Sequence, residues 1–318
     1  MIDTKHHKVG IVIVNFNGSS HTYTLLESIL HLTGLDCVFL SIAIVDNGSG
    51  DDELFALREM VKAVNHFNID IILIGQDNIG YAGGVNRGLK ELAWKRVDWY
   101  WVLNNDTVLD NNCIHELLSE ANKSDLPTLF GATLIYLDDK KTIQAAGGAR
   151  YFSAFALASH NLKGKYINEC VKTESGKIDY IVGASIFFSH ATLELIGLMP
   201  EEYFLYYEET EWCLSAARKG ARMAWVDTAI VYHAEGAATG ANNKFNALNN
   251  FTAYYLWRNS LWLTRKLWPY WLPIVLFTKL LELALALIRG ERRKVRIFCH
   301  AFVDFALSRM GKSERDFH

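Results

Sequence analysis

Between residues 9 and 106, short β-branched and aliphatic runs alternate with stretches of helical periodicity, a pattern that predicts parallel strands covered by helices. The strands read KVGIVIVN, LSIAIVDN, DIILIG and DWYWVLNN. Between them, helical spacing is expected around residues 22–32, where Leu25, Leu26, Ile29 and Leu30 are apolar, then around 53–67 and 84–95. Each strand ends in polar residues: Asn15 and Asn17, Asp46 and Asn47, Asp77 and Asn78, and finally Asn104 to Asp106. In open parallel sheets ligands bind beyond the carboxyl ends of the strands, so these tips are expected to converge on one crevice.

Further along, TLFGATLIY, a glycine turn at Gly147 and Gly148, and DYIVGASIFFS predict additional strands, some antiparallel. YYEETEWCLSAARKG reads as a helix with acidic residues in its first turn and Arg218, Lys219 and Gly220 at its end, as the helix macrodipole prefers. The strand RMAWVDTAIVYH follows. From Ala247 the composition shifts: this region carries four of the nine tryptophans, an apolar run of about twenty residues and basic clusters on both flanks. Two regions are expected, residues 1–246 as an α/β domain and 247–318 as a hydrophobic helical appendage.

With 318 residues, half of them hydrophobic, the chain can bury a large core. A net charge of -3 and a pI near 6.4 argue against a nucleic-acid-binding surface. The five scattered cysteines form no Cys-x-x-Cys pair, which points to reduced thiols in the cytoplasm. The apolar run near the start is too short for a signal peptide and suits a buried strand.

Several strings carry chemistry, each with a plain structural alternative. In IVDNGSGDD, Asp46 can accept from a base N–H or a ribose hydroxyl; equally, Asp46 and Asn47 make an Asx turn and Ser49 caps the next helix. DNIGYAGGVNRG lacks the G-x-G-x-x-G spacing, which disfavours a nicotinamide dehydrogenase. Its small residues, including Gly83 and Gly84, let a backbone approach a phosphate at a helix start, with Asn86 and Arg87 adding polar contacts; close helix–sheet packing explains them as well. In WVLNNDT, Asp106 suits a hard cation such as Mg²⁺ or Mn²⁺ shared with a diphosphate, or else closes a polar turn before a helix near Asp110. In FLYYEETEWC, Glu208, Glu209 and Glu211 either answer the helix dipole or supply a general base. His233 ends a strand, and Arg258 stands on an aromatic helix where it either clamps a phosphate or stacks on Tyr254 or Trp262.

In this order, VIVNFNG, IVDNGS, NIGYAGGVNRG, WVLNNDT, FLYYEETEWC and YYLWRN resemble an inverting family 2 glycosyltransferase of the GT-A fold, similar to bacterial rhamnosyltransferases, across about residues 9–259. That resemblance implies a Rossmann-like mixed sheet flanked by helices. It implies that Asn15, Asn17 and Asp46 hold the nucleotide, that Asn78, Gly83, Gly84, Asn86, Asn105 and Arg258 contribute to the donor pocket, and that Asp106 with His233 binds Mg²⁺ or Mn²⁺. Glu209, with Glu208 beside it, falls where the family places its catalytic base. The implied reaction moves a sugar, with dTDP-rhamnose the expected donor, to a hydroxyl of a glycan or lipid-linked glycan in cell-surface polysaccharide synthesis. UDP-linked galactofuranose or hexosamine transfer, and an inactive nucleotide-sugar-binding homologue, are the alternatives. Here the metal string is Asn-Asn-Asp where many relatives have two aspartates, and the acidic string is Glu-Glu-Thr-Glu rather than Glu-Asp-x-Asp.

The apolar run over residues 270–288 is long enough to span a bilayer, but Lys279 and Glu282 stand near its middle. A helix lying in the interface or packed on the domain is favoured over a span. Basic flanks at Arg265, Lys266, Arg289, Arg292, Arg293, Lys294 and Arg296, with Trp262, Trp268 and Trp271 at headgroup depth, would suit a peripheral protein on the inner face of the cell membrane. A homodimer interface is the competing use of this surface.

Overall fold

A computed structural model describes residues 7–169, 176–234 and 250–315. In chain order its elements are β1 (His7–Asn15), α1 (Ser19–Leu30), β2 (Val38–Asn47), α2 (Asp51–Ala63), β3 (Ile69–Gln76), α3 (Tyr81–Trp94), β4 (Trp99–Asn104), β5 (Thr107–Leu109), α4 (Cys113–Ala121) and β6 (Thr128–Tyr136). They continue with β7 (Ile143–Ala146), β8 (Gly148–Phe152), β9 (Leu157–His160), β10 (Tyr180–Ile181), β11 (Ser185–Ser189), α5 (His190–Ile196), α6 (Glu208–Arg218), β12 (Arg222–His233), α7 (Asn250–Leu267), α8 (Leu272–Ile288) and α9 (Arg292–Ala306).

The main sheet runs β3-β2-β1-β4-β11-β6-β12-β5, with β7 paired to β6; β10, β8 and β9 form a second, small sheet. Strands β3, β2, β1 and β4 are parallel, and β11 enters antiparallel between β4 and β6. Alternation along each strand sorts the two cores. Val9, Ile11 and Ile13 join Trp101 and Leu103 with Leu25 and Ile29 of α1 and Leu117 of α4. Val12 and Val14 join Tyr100 and Val102 with Val85 and Leu89 of α3.

Two expectations change. The helix expected near Asp110 begins at Cys113, because Thr107–Leu109 first returns to the sheet as β5 and pairs antiparallel with the end of β12. DYIVGASIFFS splits into β10 and β11, with Val182, Gly183 and Ala184 crossing from the small sheet to the large one. The boundary expected between residues 246 and 247 lies outside the described residues. Leu261 and Leu263 of α7 share a core with Trp212 of α6 and Phe188 of β11, so the tail packs directly on the α/β domain.

Candidate active site

The tips of β1, β2, β4 and β12 and the start of α6 enclose a cleft of about 430 Å³. Of the expected site residues, Asn78, Asn105, Asp106, Glu208, Glu209 and His233 line it. Register brings the metal candidates together: β5 pairs with β12 so that His233 stands opposite Thr107, next to Asp106. His233 Nε2 is 3.1 Å from Asp106 Oδ1, and both residues are buried. Burial pushes the Asp106 carboxyl up, but the hydrogen bond and charge of His233 outweigh it, and the group sits below the usual carboxylate range.

On its other side, His233 Nδ1 lies 2.8 Å from the Gln144 amide oxygen on β7. Nδ1–H donates to that oxygen, which leaves Nε2 facing a carboxylate oxygen across 3.1 Å. Two acceptors do not approach so closely alone. A cation shared by Nε2 and the carboxylate would satisfy both atoms. Adjacent ligands of an octahedral ion at about 2.1 Å lie about 3.0 Å apart, so the pair fits Mg²⁺ or Mn²⁺. Diphosphate oxygens and water would complete the shell, since no group of three His, Cys, Asp or Glu side chains is clustered for a metal among the described residues.

Across the cleft, the first turn of α6 presents Glu208 and Glu209. Glu208 is almost wholly buried, and its Oε2 has no hydrogen-bond partner. Burial first, then the neighbouring Glu209 charge, raises its carboxyl well above the usual range. Burial also raises Glu209, against backbone hydrogen bonds that lower it. Glu209 packs over Gly183, where an added Cβ would lie 3.3 Å from its Cγ. The third carboxylate, Glu211, faces away from the cleft, bound to the Tyr203 hydroxyl and to Lys266 at 2.6 Å.

The loop before α6 is strained. Phe204, Tyr206 and Tyr207 have φ of 69°, 66° and 78°, the left-handed region that side chains rarely adopt. Asn259 of α7 holds this loop: its Nδ2 donates to the carbonyls of Tyr203, Leu205 and Tyr206 at 3.1, 2.8 and 3.0 Å. Arg258 donates to the Tyr203 carbonyl at 3.0 Å and to Asn259 Oδ1 at 3.1 Å, and lies over the Tyr254 and Tyr255 rings. Arg258 is thus fully buried behind the loop rather than in the cleft, and stacking, not phosphate clamping, describes its surroundings. From the facing side, Gly80 admits the Phe204 carbonyl, which accepts from Tyr81 N at 2.9 Å; a Cβ on Gly80 would sit 2.5 Å from that oxygen.

Other expected residues stand behind the cleft surface. Asn15 Nδ2 donates to Asp46 Oδ1 at 2.9 Å, and Asp46 Oδ2 accepts from Ser49 N at 3.2 Å, an Asx turn that tethers the β1 and β2 tips. Asn17 is exposed, and its N–H donates to Ser49 Oγ at 2.8 Å. Asn86 is buried and reaches Met199 and Glu201. Gly84 allows α3 onto β1, since a Cβ there would meet Val14 at 2.8 Å, and Gly83 seats Ile79 at 2.6 Å. Asn105 lines the cleft while donating to Asn15 Oδ1 and the Gly18 carbonyl.

Two site residues escaped the sequence reading. Tyr81 lines the cleft and donates to Asn104 Oδ1 at 2.9 Å; burial, then the carboxylates of Glu208, Glu209 and Asp106, keep its phenol protonated. The aromatic within a glycine-rich helix start was its available signal. Gln144 sits on a strand edge in an unremarkable string, and pairing across β6 alone brings it to His233.

Relatives agree with this architecture. The low-salt glycan biosynthesis hexosyltransferase Agl10 of Haloferax volcanii is 26% identical over 218 residues, covering 66% of this chain and 62% of the relative. The dTDP-rhamnosyl transferase RfbF of Shigella flexneri is 23% identical over 259 residues, 80% of this chain and 79% of that one. The chain therefore spans about three-fifths of the first relative's length. Among solved structures, the mannosyltransferase PcManGT of Pyrobaculum calidifontis, determined with GDP-Man and Mn²⁺, superposes with a TM-score of 0.56 at 13% identity, over 96% of this chain and 89% of that one. This likeness is one of fold, and it is the expected GT-A fold. The family described as "Glycosyl transferase family 2" matches residues 10–181, more than half of the 318. The protein belongs to that family.

Proposed function

We propose that the protein transfers a sugar from a nucleoside-diphosphate sugar to an acceptor hydroxyl, with inversion at the anomeric carbon. The observation that carries this reading is the meeting, in one cleft, of the Asp106–His233 pair with two carboxylates of unequal environment. Asp106 and His233 would hold Mg²⁺ or Mn²⁺, which when bound offsets charge developing on the leaving diphosphate. Glu208, the more deeply buried, stays protonated and leaves Glu209 as the ionised member and base. Glu209 takes the acceptor's proton as that oxygen attacks, and the Gly183 crossing keeps space beside its carboxylate. Tyr81 stays protonated and fixes the Asn104 amide beside the metal pair.

dTDP-rhamnose is the preferred donor, supported by the likeness to the dTDP-rhamnosyl transferase RfbF, which the chain follows over 79% of its length. The acceptor is a glycan or lipid-linked glycan destined for the cell surface, in keeping with the likeness to Agl10, a glycan biosynthesis hexosyltransferase. Unpaired Cys37, Cys113, Cys213 and Cys299 support a cytoplasmic location. The test is a thermal-shift panel of dTDP-, UDP- and GDP-sugars with and without Mn²⁺, followed by nucleoside-diphosphate release. A Mn²⁺-dependent shift confined to dTDP-rhamnose and lost in Asp106→Ala is expected. A shift for UDP-sugars instead overturns the donor, and absence of any diphosphate release with every donor overturns the transferase reading.

A further inference from the structure

Helix α8 has two unlike sides. Toward the protein, Val275 and Ala286 are buried and Lys279 turns inward: it pairs with Glu282 at 3.1 Å and lies over the Trp257 ring, while Trp257 Nε1 donates to Glu282 at 2.9 Å. Lys279 is thus drawn inward, whereas Glu282 stays exposed at the edge of the helix, held by Lys279 and Trp257. On the outer side, Ile274, Phe277, Leu281, Leu285 and Ile288 recur at spacings of three and four and form one exposed stripe. Across Pro269–Ile288 the mean hydropathy is 2.0, yet only 11% is buried. An apolar surface of this kind marks an interaction site.

At one end of the stripe stand Arg289, Arg292, Arg293, Lys294 and Arg296, all exposed. Three of them occupy the first turn of α9, where the macrodipole favours anions, so their placement weakens the helix and calls for another reason. Their concentration contrasts with a chain whose net charge is -3. Trp262 and Trp268 are not part of this surface: Arg265 covers Trp262, and Trp268 stacks on Tyr151.

We propose that the α8 stripe and this basic cluster dock on an anionic lipid bilayer, with α8 lying in the plane of the interface. Its inner side is seated on α7 and α9, which carry the buried Arg258, Asn259 and Asp304, so α8 presents only one side to lipid. Charge complementarity selects lipid over a second copy of the chain. A copy laid stripe on stripe covers the apolar residues but brings no free anionic partner from α8, since its one carboxylate, Glu282, is already held by Lys279 and Trp257. On α7, Leu256 lines the cleft and its neighbour Trp257 lies under α8. Two helices, α8 and then α7, each about 10 Å across, thus separate the bilayer from the cleft, which sets an acceptor hydroxyl about 20 Å from the lipid surface. That last consequence rests on the transferase reading; the docking does not.

Flotation of the full chain with phosphatidylglycerol-containing vesicles, and with phosphatidylcholine vesicles, tests the surface. Binding to the anionic vesicles, weakened by salt, is expected. Arg292→Ala with Arg293→Ala lowers partitioning about 25-fold, at about fivefold per cation, and Phe277→Glu with Leu281→Glu abolishes it while circular dichroism and melting temperature are kept. Failure to float with anionic vesicles overturns the proposal. So does equal binding by the glutamate variant, or a dimer by light scattering that this variant dissociates without any vesicle binding.

Discussion

Replacing Asn259 with leucine keeps the volume of a buried side chain and removes the donor that holds the loop before α6. The Tyr203 carbonyl retains Arg258, but those of Leu205 and Tyr206 lose the Asn259 amide. Each of these two orphans costs about 1–1.5 kcal/mol and the Arg258 Nε that loses Asn259 Oδ1 about 1.5 kcal/mol, together about 3.5–4.5 kcal/mol. An unfolding entropy of roughly 2.1 cal/mol/K per residue over the 318-residue chain converts this to a melting-temperature loss of about 5–7 °C. Phe204, Tyr206 and Tyr207 meanwhile hold positive φ at roughly 1–2 kcal/mol each, so the loop relaxes once released. A shift of about 1 Å in the start of α6 displaces Glu209 and lowers turnover about 100-fold, with the donor KM nearly unchanged because the donor-facing strand tips do not move. Steady-state diphosphate release and differential scanning fluorimetry measure both quantities. A variant that loses the expected melting temperature but keeps kcat within about threefold refutes the claim that this clamp sets the base's position.

Three further outcomes follow from the same geometry. Glu208→Gln removes a carboxyl whose folded value is raised, a group that destabilises the fold as pH climbs above its ordinary 4.5; the variant should melt higher than wild type at neutral pH, and the gain should vanish below 4.5 in a pH series of melting curves. Asp106→Asn and His233→Ala should each abolish the Mn²⁺-dependent stabilisation of the nucleotide complex, and isothermal titration showing unaltered Mn²⁺ affinity would remove the pair as ligands. Gly80→Ala, at φ 93° and 2.5 Å from the Phe204 carbonyl, should cost roughly 2–4 kcal/mol, against about 1 kcal/mol for Gly34→Ala, at φ 79° in open space; equal losses in urea unfolding would show that the close approach is immaterial.

The alternating pattern alone determined the parallel half of the sheet, because strand period and helix period leave different marks and the four polar tips follow directly from them. It also marked the start of α6 as acidic, though not which of Glu208, Glu209 and Glu211 faces the cleft. Tertiary structure decided the rest. β5 is three residues long, too short for a pattern, and only its pairing with β12 sets His233 beside Asp106 from 127 positions away. Gln144 acquires its place through a strand pairing that leaves no local trace. Arg258 looks like a ligand contact in YYLWRN because its chemistry suits one; packing turned it, with Asn259, toward carbonyls of a strained loop. Local sequence encodes period, capping and turn chemistry. Which side chains meet across long separations is set by the register and burial that the whole fold imposes, and in this protein the site is made of such meetings.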